Sequence, residues 1–256
     1  AFIKFIDKTP AIGKAIICSD NQDLKKILKS TKTNNFLTYG FNDTPNFKIT
    51  NVKYNLENTS FNLIIKIYGS KKITIKNIIL KLLGKYNVLN ATASIAISLS
   101  IGIKINIIKK VLKNFSGVQR RLTKIFIKNK KEFYDDYAHH PTEINSVLEG
   151  LRQVYKKRKI IAVFQPHRYS RVMNLKKQFA ASFFKADIVI LCPIYAAGEK
   201  KDKNYNELHF VNLIKKTSKV QVIIIKNEVE LKKYMQKNLI NNEIIVGMGA
   251  GSISKW

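Results

Sequence analysis

The sequence predicts an α/β protein in two parts, with the boundary near residue 117. From residue 133 onward, strand-like runs alternate with helical stretches, which is the pattern of a mostly parallel sheet wrapped by helices. Ahead of residue 117, short β-rich segments follow one another closely and then give way to two helices, which suggests an antiparallel meander. The change of rhythm falls at Gly117. No internal repeat or low-complexity linker interrupts either part.

In order along the chain, residues 14–18 predict a short strand and 23–29 a short helix. Segments 34–41, 46–54, 60–68 and 72–78 are rich in Ile, Val, Tyr, Phe and Thr with partial alternation, and read as strands. Residues 87–99 predict an amphipathic helix, with Leu89, Ala93 and Ala96 among its buried positions and Asn87 as a candidate N-cap. Gly102 breaks it, and a second helix covers 106–115. Beyond the boundary, strands are expected at 133–136, 160–165, 187–192, 220–225 and 243–247. Helices are expected at 143–156, 172–184, 206–216 and 228–238.

The chain has 256 residues, 45% hydrophobic and 25% charged, which suits one large or two ordinary globular domains and excludes a disordered chain. No apolar run reaches the ~20 residues of a membrane helix, so no membrane insertion is expected. No signal-peptide pattern opens the chain. Its first residue is Ala, and a preceding portion is expected to be missing. Cys18 and Cys192 each end an apolar run and read as buried thiols in a reducing, cytoplasmic setting. The net charge of +29 comes from lysines dispersed along the whole length, in a composition also heavy in Ile and Asn. A dispersed lysine coat predicts weak, salt-sensitive adhesion to polyanions rather than specific nucleic-acid recognition.

Of 46 basic residues only six are arginine, and four of those lie in two short stretches, Gly117-Val-Gln-Arg-Arg121 and Phe164-Gln-Pro-His-Arg-Tyr-Ser-Arg171. The second also holds His167, while His139 and His140 sit in a third stretch, Asp135-Asp-Tyr-Ala-His-His-Pro-Thr-Glu143. A chain that uses lysine wherever a plain charge suffices keeps guanidinium where bidentate recognition of carboxylate or phosphate is needed. Two of these stretches follow predicted strands, so Asp136, His139, His167, Arg168 and Arg171 should meet on one edge of the sheet, where ligands of open α/β sheets bind. Simpler readings stand beside this one: loop capping by the paired histidines, and a solvated basic turn at 167–171. No third histidine or cysteine lies close enough in sequence to make metal ligands of His139 and His140, and no metal site is expected. Gly247-Met-Gly-Ala-Gly251 reads as a tight strand-exit loop, and 194–199 as another rim loop. No phosphate loop of the Gly-x-x-x-x-Gly-Lys-Ser/Thr type occurs.

These stretches, together with Gly84-Lys-Tyr-Asn-Val-Leu-Asn-Ala-Thr-Ala93, Ile194-Tyr-Ala-Ala-Gly-Glu199 and Gly249-Ala-Gly-Ser-Ile253, resemble the Mur ligase family over essentially the whole chain. The resemblance implies a remainder of a central ATP-binding domain at 1–117, then a Rossmann-like amino acid-binding domain at 118–256. It is strongest to the branch that joins L-alanine to UDP-N-acetylmuramate. That implies ATP as phosphoryl donor, an acyl phosphate, attack on it by the amine, and Mg²⁺ screening the phosphates. On this resemblance Asn87 and Asn90 contact adenine, Arg121 reaches the nucleotide, Asp136 accepts from the ribose hydroxyls, and Tyr137 lies near adenine. His139, His167, Arg168 and Arg171 line the amino acid site, with Arg171 clamping the carboxylate. Tyr86 stands where the family usually has histidine. The family's phosphate loop, magnesium ligands and UDP-binding domain would precede residue 1, so the isolated chain is expected not to ligate. Other readings are a sister ligase that adds a tripeptide, a basic nucleic-acid-binding module, and a non-catalytic remnant.

Overall fold

The computed structural model describes residues 2–42, 44–240 and 242–256, and the chain divides into two compact units, Ala1–Ser116 and Gly117–Trp256. Among the described residues no helix is long and apolar enough to cross a membrane.

The first unit runs α1 (Phe2–Asp7), β1 (Ala15–Cys18), α2 (Gln22–Leu28), β2 (Phe36–Gly40), β3 (Phe47–Tyr54), β4 (Thr59–Ile65), β5 (Ile73–Leu80), α3 (Lys85–Ser100) and α4 (Ile105–Asn114). Its five strands form one sheet in sequence order. The expected meander holds only for β3–β5; β1, β2 and β3 are parallel to one another. β3 meets only the end of β2, through two residue pairs, and Asn46 Oδ1 fixes that short register by accepting from the Thr38 amide at 2.9 Å. The alternation of β4 buries Thr59, Phe61, Leu63 and Ile65. Into the same core α3, lying over β1–β3, buries Val88, Ala91, Thr92, Ile95 and Ala96, spaced i, i+3, i+4, i+7 and i+8. Each fully buried Leu or Ile of this core contributes about 1.5–3 kcal/mol.

Two details of this unit differ from expectation. Helix α3 begins two residues early, with Gly84 as N-cap at φ +92°, so Asn87 is inside the first turn rather than capping it. The early start is possible because Gly84 adopts a backbone angle that side chains disfavour. Cys18 is only partly buried, whereas Cys192 is sealed in the second unit, where burial pushes its thiol up to about 12.

The second unit runs β6 (Thr123–Lys128), β7 (Lys131–Asp136), α5 (Pro141–Val154), β8 (Ile160–Phe164), α6 (Tyr169–Asn174), α7 (Lys176–Ala181), β9 (Ile188–Leu191), α8 (Glu207–Ser218), β10 (Gln221–Ile224), α9 (Glu228–Asn238) and β11 (Ile244–Met248), ending in a 3₁₀ turn at Ile253–Lys255. The sheet order is β10-β9-β8-β11-β7-β6, parallel throughout except for β6. The continuous apolar run of β8 is buried along its whole length, as a parallel strand covered on both faces requires. One face packs Leu148, Phe164, Phe179, Phe183 and Phe210; the other packs Ile161, Ile190 and Ile245 under α9.

The sequence reading lacked β6, an edge strand that is mostly exposed. The single helix expected over 172–184 is two short helices broken at Leu175. At the start of β7, Glu132 accepts from Arg158, from Lys124 Nζ at 2.6 Å and from Tyr155 Oη at 2.8 Å. Arg158 also donates to the Asn242 and Lys130 carbonyls at 2.8 Å each.

Candidate functional site

Strand register decides where the polar stretches meet. Asp136, Met248 and Phe164 are level with one another across β7, β11 and β8, so the three loops that follow leave the same edge of the second sheet. β11 separates the two histidine-bearing strands, yet the His139 and His167 rings lie 5.9 Å apart. The loops close over the strand between them.

The loop after β7 is organised from within. Asp136 is 1% exposed, and its two oxygens accept from the amides of Leu122 and Ala138 at 2.7 Å each. Burial pushes its carboxyl up to about 6, against these two hydrogen bonds and the nearby Arg121 charge. Glu143 Oε2 accepts from the His139 and His140 amides at 3.0 and 3.1 Å, and the His140 ring accepts from the Thr142 amide at 3.3 Å. The capping reading is therefore right for His140, beside Pro141 at the first helical position. His139 is turned the other way. Its Nδ1 is 2.9 Å from the Tyr137 carbonyl and 3.6 Å from Glu143 Oε2.

The loop after β8 carries the second imidazole. His167 stacks on Tyr195, with centroids 5.5 Å apart and planes inclined by 17°. Arg171, one helical turn on, places Nη1 3.3 Å from His167 Nδ1. Burial, then the charges of Arg171, His139 and Arg168, hold His167 below its ordinary pKa, with Glu199 opposing. Arg168 sits at φ +70° and ψ 130°, a sparsely populated combination that costs a non-glycine residue about 1–3 kcal/mol. Its amide is held by the Tyr195 carbonyl at 2.9 Å, and its Nε lies 3.7 Å from Glu199 Oε1. Glu199 also accepts from the Ser170 hydroxyl and amide, which keep it below the usual carboxylate range.

The glycine loop completes the rim. At Gly249 (φ +153°) a Cβ would stand 2.7 Å from the Gln165 carbonyl oxygen, and at Gly251 one would stand 2.6 Å from the Tyr195 ring. Both positions exclude a side chain so that the loop can lie against Gln165 and Tyr195. Arg120 Nη2 donates to the Gly249 carbonyl at 2.6 Å, its Nε approaches Asp135 at 3.4 Å, and its guanidinium lies over the Tyr137 ring at 4.8 Å.

Seven of the nine residues singled out from sequence meet on this rim: Arg121, Asp136, Tyr137, His139, His167, Arg168 and Arg171. Arg121 reaches Glu143 at 3.9 Å and the Tyr137 ring at 6.0 Å. Asn87 and Asn90 belong to α3 of the first unit. Asn87 is buried and donates to the Leu83 carbonyl at 2.8 Å, while Asn90 is exposed. Sequence reasoning passed over Arg120, Gln165 and Tyr195 as site residues. Arg120 shared the arginine-rich stretch with Arg121, and Tyr195 lay in a stretch already read as a rim loop. Among the described residues no group of three or more His, Cys, Asp or Glu side chains is placed to hold a metal ion.

Comparison with known proteins agrees with this architecture. Residues 1–98 match the family model described as Mur ligase middle domain, and residues 120–251 match the one described as Mur ligase, glutamate ligase domain. The UDP-N-acetylmuramate–L-alanine ligase of Pelagibacter ubique is 49% identical over 255 residues, covering 100% of this chain and 55% of the relative. That of Ruthia magnifica is 40% identical over 257 residues, covering 99% and 54%. The chain thus spans about half the length of the curated relatives it matches. Among solved structures, the UDP-N-acetylmuramate-alanine ligase of Thermotoga maritima superposes with a TM-score of 0.70 at 23% identity, over 94% of this chain and 49% of that one. A murein peptide ligase from Psychrobacter arcticus superposes at 0.66 and 19%, over 99% and 52%. These last two likenesses are of fold. With one family model covering more than half of its residues, the chain belongs to the Mur ligase family.

Proposed function

We propose that this chain supplies the amino acid-binding part, and an adenine-facing part, of an ATP-dependent ligase that joins L-alanine to UDP-N-acetylmuramate. A carboxylate resists attack by an amine until one oxygen becomes a phosphate leaving group, so the reaction runs through an acyl phosphate. The observation that carries the reading is the meeting of His139, His167, Arg168 and Arg171 on one rim of the second unit. Two imidazoles and two guanidiniums there suit a small zwitterion that must be gripped by its carboxylate and relieved of a proton at its nitrogen.

In this proposal Arg171 clamps the alanine carboxylate, using donors beyond the one it directs at His167. Arg168, braced by Glu199, sets the charge at the mouth of the site. On the second unit Arg121 and Tyr137 face the nucleotide. Asp136, expected to accept from the ribose hydroxyls, is buried with both oxygens on the amides that follow Arg121 and Tyr137, so it serves the nucleotide by holding those two residues. On the first unit Asn90 offers a free amide edge for adenine, and Asn87 keeps its oxygen as an acceptor while its nitrogen is engaged. Mg²⁺ would screen the phosphates in this reaction.

The test is titration of the chain with L-alanine, followed by amide NMR. Saturable shifts should map to the loops at 137–140 and 165–171, and D-alanine should compete poorly. Substituting Arg171→Met should weaken binding roughly ten- to a hundredfold, the worth of a charge-assisted hydrogen-bond pair. A tripeptide that displaces L-alanine at lower concentration would assign the chain to peptide addition instead. If no rim resonance moves at any alanine concentration, the reading is wrong.

A further inference from the structure

The two imidazoles on the rim have fixed partners of opposite kind. His139 Nδ1 lies 2.9 Å from the Tyr137 carbonyl, which can only accept, so Nδ1 carries the proton. In the neutral ring that leaves the lone pair on Nε2. His167 Nδ1 lies 3.3 Å from Arg171 Nη1, which can only donate, so Nδ1 is the bare nitrogen and the proton is on Nε2. The rings are 5.9 Å apart and are opposite tautomers. His139 presents an acceptor at Nε2; His167 presents a donor there.

The surroundings reinforce the division. The ring of His139 is met by Glu143, 3.6 Å from Nδ1, by the Tyr137 ring edge-on at 5.2 Å, and by His167. His167 is faced by Arg171, Arg168, His139 and Glu199, and is stacked on Tyr195. Three of its four ionisable neighbours are bases, which favours its neutral form. Glu143, which also accepts from the His139 amide at 3.0 Å, holds the loop that carries the ring.

We propose that His139 is the base that takes the proton from the attacking amine, while His167 is a hydrogen-bond donor that cannot serve as one. The proposal deepens the amino acid-site reading above and rests on it. The free amine nitrogen of alanine attacks the acyl phosphate carbon, forming the C–N bond as the carbonyl pair moves onto oxygen. The N–H proton passes to His139 Nε2. The oxygen pair then returns, and the C–O bond to phosphate breaks with its electrons on the phosphate. His139 is left as an imidazolium whose Nδ1–H stays on the Tyr137 carbonyl, and it then gives its proton to water. Arg171 and Glu143 are positioning residues for this step: one fixes the tautomer of His167, the other holds the backbone amides of His139 and His140.

Long-range ¹H–¹⁵N NMR of the chain reads the tautomer of each ring directly. Single His→Gln variants at residues 139, 140, 167 and 209 assign the resonances. The expected result is Nδ1–H for His139 and Nε2–H for His167. In Arg171→Met, His167 should relax into a mixture of tautomers while His139 is unchanged; Arg171→Lys, which keeps a donor, should restore much of the wild-type pattern. L-alanine added near pH 8 should shift the His139 Nε2 resonance, and this response should vanish in His139→Gln. An Nε2–H tautomer at His139, an Nδ1–H tautomer at His167, or an alanine response confined to His167 would overturn the assignment. These tautomers need no alanine, so their reversal defeats the proposal while leaving the binding site intact. Silence of every rim resonance to alanine defeats the site reading and the base role together.

Discussion

Asp136 is an acid sealed by its own loop, and its titration has a definite sign. Its carboxyl is raised from an ordinary 3.8 to about 6, chiefly by burial. The folded chain therefore holds this proton more tightly than the unfolded chain does. Its ionisation costs the fold roughly 3 kcal/mol, absent below about pH 3.8 and fully present above about pH 6. The unfolding free energy contributed by this group should fall as pH rises through that window. Urea unfolding at pH 4 and pH 7 should show the slope, and Asp136→Asn should flatten it. An Asn retains one oxygen for the Leu122 or Ala138 amide but not both, so the variant is also expected to start from a lower stability at pH 4. An unchanged slope in the variant would show that other groups set the pH response. Much at this scale was legible beforehand: the scarcity of arginine picked out Arg168 and Arg171, and the doubled histidine picked out His139. What each side chain touches was not. Arg120 and Arg121 are neighbours of identical chemistry, and only the backbone turn (Arg120 at φ +59°) sends the first across Tyr137 to the Gly249 carbonyl.

At the scale of elements, the starts of β7 and β11 and the approach to β8 are stitched together by Glu132 and Arg158. Burial alone would raise Glu132, but hydrogen bonds from Lys124, Arg158 and Tyr155 outweigh it and hold the carboxyl at about 2. A depressed acid stabilises the fold above its unfolded value of 4.5, and that contribution is lost as pH falls toward 2. Glu132→Gln should lower stability at pH 7 by roughly 3 kcal/mol, since Arg158 is left without its carboxylate. The variant should also lose the acid sensitivity between pH 4.5 and 2. Equal unfolding midpoints for wild type and variant at pH 7 would show the cluster to be dispensable. Strands buried on both faces announced themselves as unbroken apolar runs. β6 did not, because Ile125, Phe126 and Ile127 are all exposed and a bulge between Lys124 and Phe126 breaks the alternation. The break at Leu175 was equally silent, for no Pro or Gly marks it.

For the whole molecule, the net charge of +29 is spread rather than focused, and its effect should be generic. Adhesion to duplex DNA at ~50 mM salt should be indifferent to sequence and gone by ~200 mM, as counterion release dictates. Retention of a preferred sequence at the higher salt would revive the nucleic-acid reading. The α/β alternation was enough to forecast the class of the second unit and the edge on which its loops gather. Sheet order was beyond reach, because nothing in the composition of residues 244–248 says that they enter between β7 and β8 rather than at an edge. That late entry has a consequence for biogenesis. The strand that holds the two halves of this sheet together is the last of them to leave the ribosome. Until it emerges, the histidine-bearing segments have no common support, and the nascent chain exposes two long apolar flanks. Deleting residues 244–248 would not trim a border. It would remove the middle plank.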